Sequence, residues 1–336
     1  MANIGADIGV FLNLQAADPE AQRRKQILQG GLPKYTFDYR HGGGDYNCYK
    51  CIATELVRSN PDARVFFASC WPTMQALNLA MQDLKVTPLR GVVYTGMTDS
   101  AYPGWDTYGD NDTGIKSFEL REVCPNWPSL LKQVAPDVKR VAVIYDFARD
   151  GSRPCMPDQN EIITNSAEAL GLSVAQPIDV GSDAAALKSA IDGFASADAS
   201  LGGLIVTSGT LTAGSRFDIT RIAASNNLPV IYPSGLFTDN GNCPEAAGLI
   251  SYGPDVLGLY ALAVSKFLYP ILSELQTTDD IRNDARFRPF SNTDFDLIVN
   301  LSAAQDLAAN GVQLNVTDTM TVTLNGMVAE ATVIKV

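Results

Sequence analysis

The chain has 336 residues, of which 46% are hydrophobic and 18% are charged, and its formal net charge is -12 at pH 7. This length is enough for two domains that each bury a core of their own. The apolar fraction predicts a globular chain rather than a disordered one. Because nucleic acids and anionic lipid surfaces attract positive charge, the acidic balance argues against nucleic-acid binding.

The first part of the chain alternates short apolar strands with helical stretches. Strands are predicted at 8–12, 35–40, 65–68 and 91–94, and helices at 19–29, 46–59 and 72–81. This alternation is typical of a parallel, doubly wound sheet. The stretch 95–126 is rich in Gly, Asp, Asn, Pro and Tyr, and we expect it to be an irregular boundary between two units.

The same alternation begins again after this boundary. Strands are predicted at 140–145, 173–177, 203–206 and 229–232, and helices at 159–170, 184–197 and 216–226. The tail adds a strand at 294–299, a helix at 303–309 and a hairpin at 320–336, whose Asn325-Gly326 pair favours a tight turn. The sequence therefore predicts two α/β units that share an architecture, without a residue-level repeat.

Two stretches of the sequence are informative about membrane insertion and about export. The apolar stretch 256–272 carries its hydrophobic residues on one helical face and contains Ser265 and Lys266, so we expect a packed helix. The first residues lack a basic region followed by an apolar one, so no signal peptide is predicted. A cytoplasmic protein and a mature exported chain both fit this start.

The cysteines form an even set that permits three disulfides, namely Cys48, Cys51, Cys70, Cys124, Cys155 and Cys243. The even count weakly favours an exported protein. Cys48 and Cys51 form one C-x-x-C inside a helical pattern, and no second pair completes a zinc site. We expect a structural thiol or disulfide there, with redox or metal chemistry as the alternative.

Motifs for catalysis are not found. His41 is the one histidine, and no G-x-S-x-G accompanies it. No G-x-G-x-x-G follows the first strand, and Gly42-Gly43-Gly44 fits a turn better than an anion cradle. We therefore expect no enzyme, no catalytic residue, no metal site and no cofactor.

Ligands of open parallel sheets collect at the carboxyl ends of the strands. The residues at these ends carry hydroxyl, amide, carboxylate and aromatic groups, which suit small-molecule recognition. They are Asn13, Ser69, Trp71, Thr73, Thr98 and Asp99 in the first unit, and Asp146, Thr207, Ser208, Tyr232 and Ser234 in the second.

Several of these residues have a structural alternative. The start of the helix after Ser69 could hold a ligand carboxylate, but Ser69 could equally cap that helix. Asp99 could pair with a ligand ammonium or lie solvated in a loop. Trp71 and Tyr232 could stack on a flat ligand, or each could pack in a core.

The chain resembles the ABC-transporter substrate-binding proteins of the tryptophan/tyrosine-type group, from residue 8 to about residue 311. The resemblance is clearest at 131–136 with 140–145, at 228–232, at 248–255 and at 295–304. It implies a type I periplasmic-binding-protein fold, with two Rossmann-like lobes joined by three crossovers that form a hinge. It also implies that the lobes close on a ligand in the cleft and deliver it to a permease.

On this resemblance, residues 1–121 and 241–286 form the first lobe, and 122–240 and 287–336 form the second. The resemblance adds Tyr145 to the ligand-binding residues. It implies an aromatic amino acid, or another small amino-acid-like or aromatic acid, as the ligand of a periplasmic or exported monomer with an ABC permease as partner. Asp146-Phe147, where relatives often have Asn-Pro, and the terminal hairpin depart from the family pattern.

The implied fold also suggests disulfides. It places Cys48 or Cys51 within reach of Cys70, and Cys155 near Cys243, so we expect fewer than six free thiols in the unreduced protein. Two alternatives to transport stay open. One is a ligand-sensing module of the same fold, and the other is an α/β enzyme with Asp99 or Asp146 as its general acid or base.

Overall fold

A computed structural model describes residues 5–86, 91–98, 112–118, 120–146, 157–181, 183–198, 200–238, 248–274, 281, 283–291, 294–324 and 327–334. The chain divides into two units that each have their own contacts and sheet. The first unit consists of residues 1–119 and 256–293, and the second of residues 120–255 and 294–336. The expected α/β fold class is confirmed, because both units are built on parallel strands that alternate with helices.

The first unit is organised around a six-stranded sheet of parallel neighbours. Its strands are β1 (Ile8–Leu12), β2 (Phe37–His41), β3 (Val65–Ala68), β4 (Gly91–Thr98), β5 (Asp112–Phe118) and β12 (Phe290–Ser291). Their order is β12-β5-β4-β3-β1-β2. The helices between them are α1 (Pro19–Gly31), α2 (Tyr46–Ser59) and α3 (Trp71–Asp83). β1 and β3 are buried at every position, as central strands require.

One long helical segment completes the first unit. It consists of α10 (Val256–Ala263), a π-helical turn (Val264–Leu268) and α11 (Tyr269–Ser273). The segment is apolar and long enough to cross a membrane, a test that the core helix of a soluble protein also passes. Tyr260 and Phe267 are fully buried in the same core cluster as β1 and β3, which agrees with the expected packed helix.

The second unit is organised around a larger sheet. Its strands are β6 (Arg140–Tyr145), β7 (Ser173–Val174), β8 (Ile178–Asp179), β9 (Gly202–Val206), β10 (Val230–Tyr232), β11 (Ile250–Pro254), β13 (Phe295–Asn300), β14 (Met320–Leu324) and β15 (Met327–Ile334). Their order is β14-β15-β13-β11-β10-β9-β6-β7, and β8 also pairs with β6. The neighbouring strands β11, β10, β9, β6 and β7 are parallel to one another, whereas β13 runs antiparallel to β11.

The helices of the second unit connect these strands. They are α4 (Leu120–Val123), α5 (Asn126–Val134), α6 (Pro157–Ala169), α7 (Ala184–Ser196), α8 (Thr210–Gly214), α9 (Arg216–Ser225) and α12 (Leu301–Ala309). Asn300 caps α12 by accepting hydrogen bonds from the backbone N–H groups of Ser302 and Ala303, at 3.0 and 3.3 Å.

Two boundaries between the units differ from the expected ones. The segment 241–286 was expected in the first lobe, but β11 lies in the second sheet, where it pairs with β10 and β13. The segment 287–336 was expected in the second lobe, but β12 pairs with β5 in the first sheet. In both cases the backbone hydrogen bonds of a short strand show to which of the two units the strand belongs.

Three strand predictions are also corrected or confirmed. Part of the expected irregular stretch 95–126 is regular, because β4 extends to Thr98 and β5 pairs beside it. The expected strand 173–177 is split into β7 and β8, with Pro177, which has no backbone N–H to donate, between them. The terminal hairpin is confirmed by the antiparallel pairing of β14 and β15, and its Asn325-Gly326 turn lies outside the described residues.

Candidate functional site

Each sheet has one point where successive connections leave in opposite directions, and ligands of doubly wound folds bind at the carboxyl edge there. In the first sheet this point lies between β1 and β3, because β2 lies on the other side of β1. In the second sheet it lies between β6 and β9. The residues that follow β1 and β3 are therefore the candidate site residues of the first unit, and those that follow β6 and β9 are the candidate site residues of the second.

The first switch point brings Asn13 and Ser69 together, as the position of both residues after a strand predicts. The Asn13 backbone N–H donates to Ser69 Oγ at 2.9 Å, and the Ser69 hydroxyl lies 3.1 Å from Asn13 Oδ1. Both residues are buried. The pair therefore links the carboxyl ends of β1 and β3.

A buried arginine that sequence reasoning missed supports this pair. Arg24, on α1, is 4% exposed, and its Nη1 donates to Asn13 Oδ1 at 3.3 Å and to the Tyr260 hydroxyl at 3.4 Å. Its Nε donates to Glu20 Oε1 at 3.1 Å. The spacing of Glu20 and Arg24 by four residues was a signal for an ion pair on a helix, but such pairs are ordinarily exposed.

The start of helix α3, which follows β3, is capped by other residues than expected. The Thr73 hydroxyl accepts from the Cys70 backbone N–H at 3.1 Å and lies 2.8 Å from the Cys70 carbonyl oxygen. Thr73 and Cys70 therefore stabilise the start of α3, and Ser69, which we considered as the cap, bonds to Asn13 instead. Thr73 is fully buried, so it does not offer a hydroxyl to a ligand.

The structure describes only some of the remaining predicted site residues of the first unit. Trp71 begins α3 and is half-buried against the cluster of hydrophobic residues that contains Met74. Thr98 is the last residue of β4, but its side chain is outside the described part. Asp99 lies outside the described residues altogether.

The second switch point brings Asp146 and Thr207 together at the ends of β6 and β9. Asp146 is buried, and its Oδ2 accepts from the Leu211 backbone N–H at 3.0 Å. The Thr207 hydroxyl donates to the Ile144 carbonyl at 3.1 Å. These hydrogen bonds satisfy the buried polar groups of Asp146 and Thr207. They also fix the ends of β6 and β9 and the start of α8.

Ser208 and Tyr145 are the more accessible residues of this edge. The Ser208 backbone N–H donates to Gln159 Oε1 at 3.2 Å, and its carbonyl accepts from Gln159 Nε2 at 3.3 Å. Gln159, which is fully buried on α6, was not predicted and carries no sequence signal beyond its helix. Tyr145 is half-buried, and desolvation with the nearby Asp179 charge raises its pKa.

Gly209 offers a direct test of how tightly Asp146 is held. A Cβ at Gly209 would lie 2.9 Å from Asp146 Cβ and 3.2 Å from Thr212 Oγ1. We expect Gly209→Ala to lower the free energy of unfolding of the second unit by about 1–3 kcal/mol, because these side chains must shift.

Gly214→Ala is the matched control, because outside its chain neighbours and its own helix backbone no atom lies within 4 Å of its added Cβ, and the residue ends helix α8. The control is expected to be neutral or stabilising by about 0.5 kcal/mol. Urea denaturation measures both variants. Equal stabilities of the two would show that Asp146 has room to move.

Tyr232 is the last residue of β10, and its ring packs in the core, which is the alternative to a ligand contact that the sequence left open. It is 1% exposed and stacks on Phe237 with ring centroids 4.9 Å apart. The ring also borders a cavity of about 320 Å³ beside α9 and α12, lined by Leu228 and Leu249, which precede β10 and β11. That cavity therefore lies toward the amino ends of the parallel strands. Ser234 is buried and precedes a short 3₁₀ turn.

The expected disulfide in the first unit is not formed. Cys48, Cys51, Cys70 and Cys124 are free thiols, and Cys70 is held against Thr73 at the start of α3. Cys155 and Cys243 lie outside the described residues. His41 is half-buried, and burial together with the charge of Lys25 lowers its pKa. Among the described residues, no group of three His, Cys, Asp or Glu side chains could hold a metal ion.

Eight of the predicted residues thus fall into two sets. Asn13, Ser69, Thr73, Asp146 and Thr207 are buried and build the two edges, whereas Trp71, Tyr145 and Ser208 are half-buried. In each unit, the half-buried residues are those that a ligand can contact without displacing the buried ones.

No protein-family model and no curated protein matches the sequence. Several solved structures match the fold. A conserved domain protein from Vibrio cholerae has a TM-score of 0.67 and 19% identity, and covers 91% of this chain and 95% of its own. An ABC domain from Streptococcus pneumonia in complex with L-Trp has a TM-score of 0.64 and 16% identity, with 90% and 94% covered.

An arabinose-binding protein from Geobacillus stearothermophilus, AraP, has a TM-score of 0.58 and 12% identity, and covers 90% of this chain and 98% of its own. These identities support a common fold and nothing finer. Together with the two sheet-based units, they show that the chain has the α/β fold of type I periplasmic binding proteins.

Proposed function

We propose that the chain is a solute-binding protein of an ABC importer, in which one small molecule contacts the switch-point residues of both units. The observation that supports this proposal is the parallel construction of the two edges. Each has buried polar residues that fix the strand ends, Asn13 with Ser69 in one unit and Asp146 with Thr207 in the other. Each also has a half-buried aromatic residue beside them, Trp71 or Tyr145.

The proposed ligand is amino-acid-like or aromatic. A flat aromatic group would stack on Trp71 and Tyr145, while its polar atoms would meet the Ser208 hydroxyl and backbone groups at the strand ends. A sugar is the competing class, because sugar-binding proteins are among the similar structures.

Transport rather than catalysis is the proposed outcome of binding. A binding protein needs two rigid units and a ligand that binds the closed state better than the open one. We propose that the protein acts as an exported or periplasmic monomer that delivers its ligand to a membrane permease.

A thermal-shift screen with amino acids, aromatic acids and sugars tests the proposal. A true ligand at a hundred times its Kd should stabilise the protein by about 2.7 kcal/mol, because it binds only the folded state. Native mass spectrometry should show the same compound bound at one copy per chain.

The outcomes separate the rivals. Stabilisation by an aromatic or amino-acid-like compound that is recovered unchanged supports the proposal. Stabilisation by sugars alone would contradict the proposed ligand class, and chemical conversion of the bound compound would contradict a binding protein. No stabilisation by any of the three classes would contradict the proposed ligand range.

A further inference from the structure

The proposed function makes no use of two exposed cysteines on helix α2. Cys48 and Cys51 are three residues apart, so they lie on the same face of the helix in neighbouring turns. Both are exposed free thiols, whereas Cys124 is fully buried and Cys70 is half-buried within the start of α3. Among the described cysteines, these two are therefore the accessible pair.

The pair lies where a helix deforms most easily. Asp45 caps α2 by accepting from the Asn47 backbone N–H at 3.1 Å, and the Cys48 thiol donates to Asp45 Oδ2 at 3.2 Å. Cβ atoms three residues apart in a helix are about 5–6 Å apart, and a disulfide needs about 3.8 Å. Closure therefore needs a shift of roughly 1–2 Å. The first turn of α2 can make this shift because its Asn47 and Cys48 N–H groups are held only by Asp45 and not by i−4 helical bonds.

The opposite face of α2 is anchored, so closure need not disturb the fold. Tyr49, between the two cysteines, is 3% exposed, and its ring packs on Phe11 with centroids 5.2 Å apart. Ala53 and Leu56 are fully buried in the same cluster. A bond between the exposed thiols would form on the solvent side of a helix whose inner side stays packed.

We propose that Cys48 and Cys51 form a reversible dithiol–disulfide pair that exchanges with an external disulfide. One thiolate attacks the external disulfide and releases one thiol, which leaves a mixed disulfide on the protein. The second cysteine then displaces the other half as a second thiol. The protein loses two hydrogens and is oxidised, and the external disulfide is reduced to two thiols.

The order of attack follows from Asp45. The hydrogen bond and negative charge of Asp45 raise the pKa of the Cys48 thiol. Less Cys48 thiolate is then present at neutral pH, which assigns the first attack to Cys51 and the second to Cys48. The bond, once formed under some strain, should reopen readily with excess reduced thiol.

Peptide mapping after equilibration with glutathione tests this proposal on the whole folded chain. Remaining thiols are blocked with N-ethylmaleimide before trypsin digestion. Because trypsin cleaves after Arg40, Lys50 and Arg58, the two cysteines fall on separate peptides, 41–50 and 51–58. In oxidised glutathione we expect one linked species of both peptides in a monomer lighter by two hydrogens, and its loss in excess reduced glutathione.

Single variants provide the control. Cys48→Ser and Cys51→Ser should each keep glutathione as a stable mixed disulfide, formed faster on Cys51 than on Cys48. In the natural chain the linked product should exceed mixed disulfide by about tenfold or more, since a tethered neighbour acts at millimolar concentration or above. Recovery of both peptides blocked or glutathionylated at every ratio, or a link only between two copies, would overturn the proposal. None of these outcomes depends on ligand binding.

Discussion

Tyr232→Ala is expected to lower the free energy of unfolding by about 3 kcal/mol or more, as removal of a large buried aromatic ring does. The ring is 1% exposed and packs on Phe237. It is also approached closely by Gly248, where an added Cβ would lie 2.2 Å from a ring carbon. The result would mark Tyr232 as a core residue, the second of the two roles that the sequence allows for it.

Tyr269→Ala is the matched control, because Tyr269 is 53% exposed on α11. Its loss should change stability by no more than about 0.5 kcal/mol, as is usual for surface substitutions. Urea denaturation of both variants measures the difference. A Tyr232→Ala protein of natural stability that has lost ligand affinity would contradict the core assignment and restore Tyr232 to the site.

Asp112→Asn is expected to stabilise the protein at pH 8 and to have little effect near pH 4. Asp112 begins β5, where burial raises the pKa of its carboxyl to about 7, although it accepts from Asn78 Nδ2 at 2.6 Å. The unfolded carboxyl ionises near its ordinary value of 3.8. Between these values the unfolded chain has lost the proton and the folded chain has kept it, so stability falls as the pH rises through this window.

The size of this effect can be bounded. A shift of this extent corresponds to at most about 4 kcal/mol, and partial access to water reduces it to about 2 kcal/mol. Asparagine keeps the size of the side chain and an oxygen that accepts from Asn78. Urea denaturation at pH 5 and pH 8 should show the natural chain losing more stability than Asp112→Asn. Parallel pH profiles of the two proteins would contradict a buried, protonated Asp112.

The sequence was most informative at the ends of central strands. The positions of Asn13, Ser69, Asp146 and Thr207 follow from strand order alone, because parallel strands deliver their carboxyl ends to one edge. β5 was missed because its sequence is mostly polar and contains Gly114, which has a positive φ of 153°. A Cβ there would lie 2.2 Å from the Tyr94 carbonyl oxygen, so the close approach of β4 is invisible until the two strands pair.

Burial of individual side chains was the part that sequence reasoning could not supply. Arg24 is buried only because Glu20, Asn13 and Tyr260 together satisfy its guanidinium, and Tyr260 lies far away in the chain. The strand of Tyr232 has three residues, all buried, so no alternation reveals which side faces the core. In both cases burial depends on side-chain contacts that the pattern of a helix or a short strand does not reveal.

Titration calorimetry with the compound found by the ligand screen tests the central claim, that residues from both units hold one solute. We expect one molecule per chain for the natural protein, and at least about a tenfold loss of affinity, or ~1.4 kcal/mol, in both Trp71→Ala and Tyr145→Ala. Tyr269→Ala should bind like the natural chain. Binding that is unchanged in either aromatic variant, or two molecules per chain with separate affinities, would contradict it.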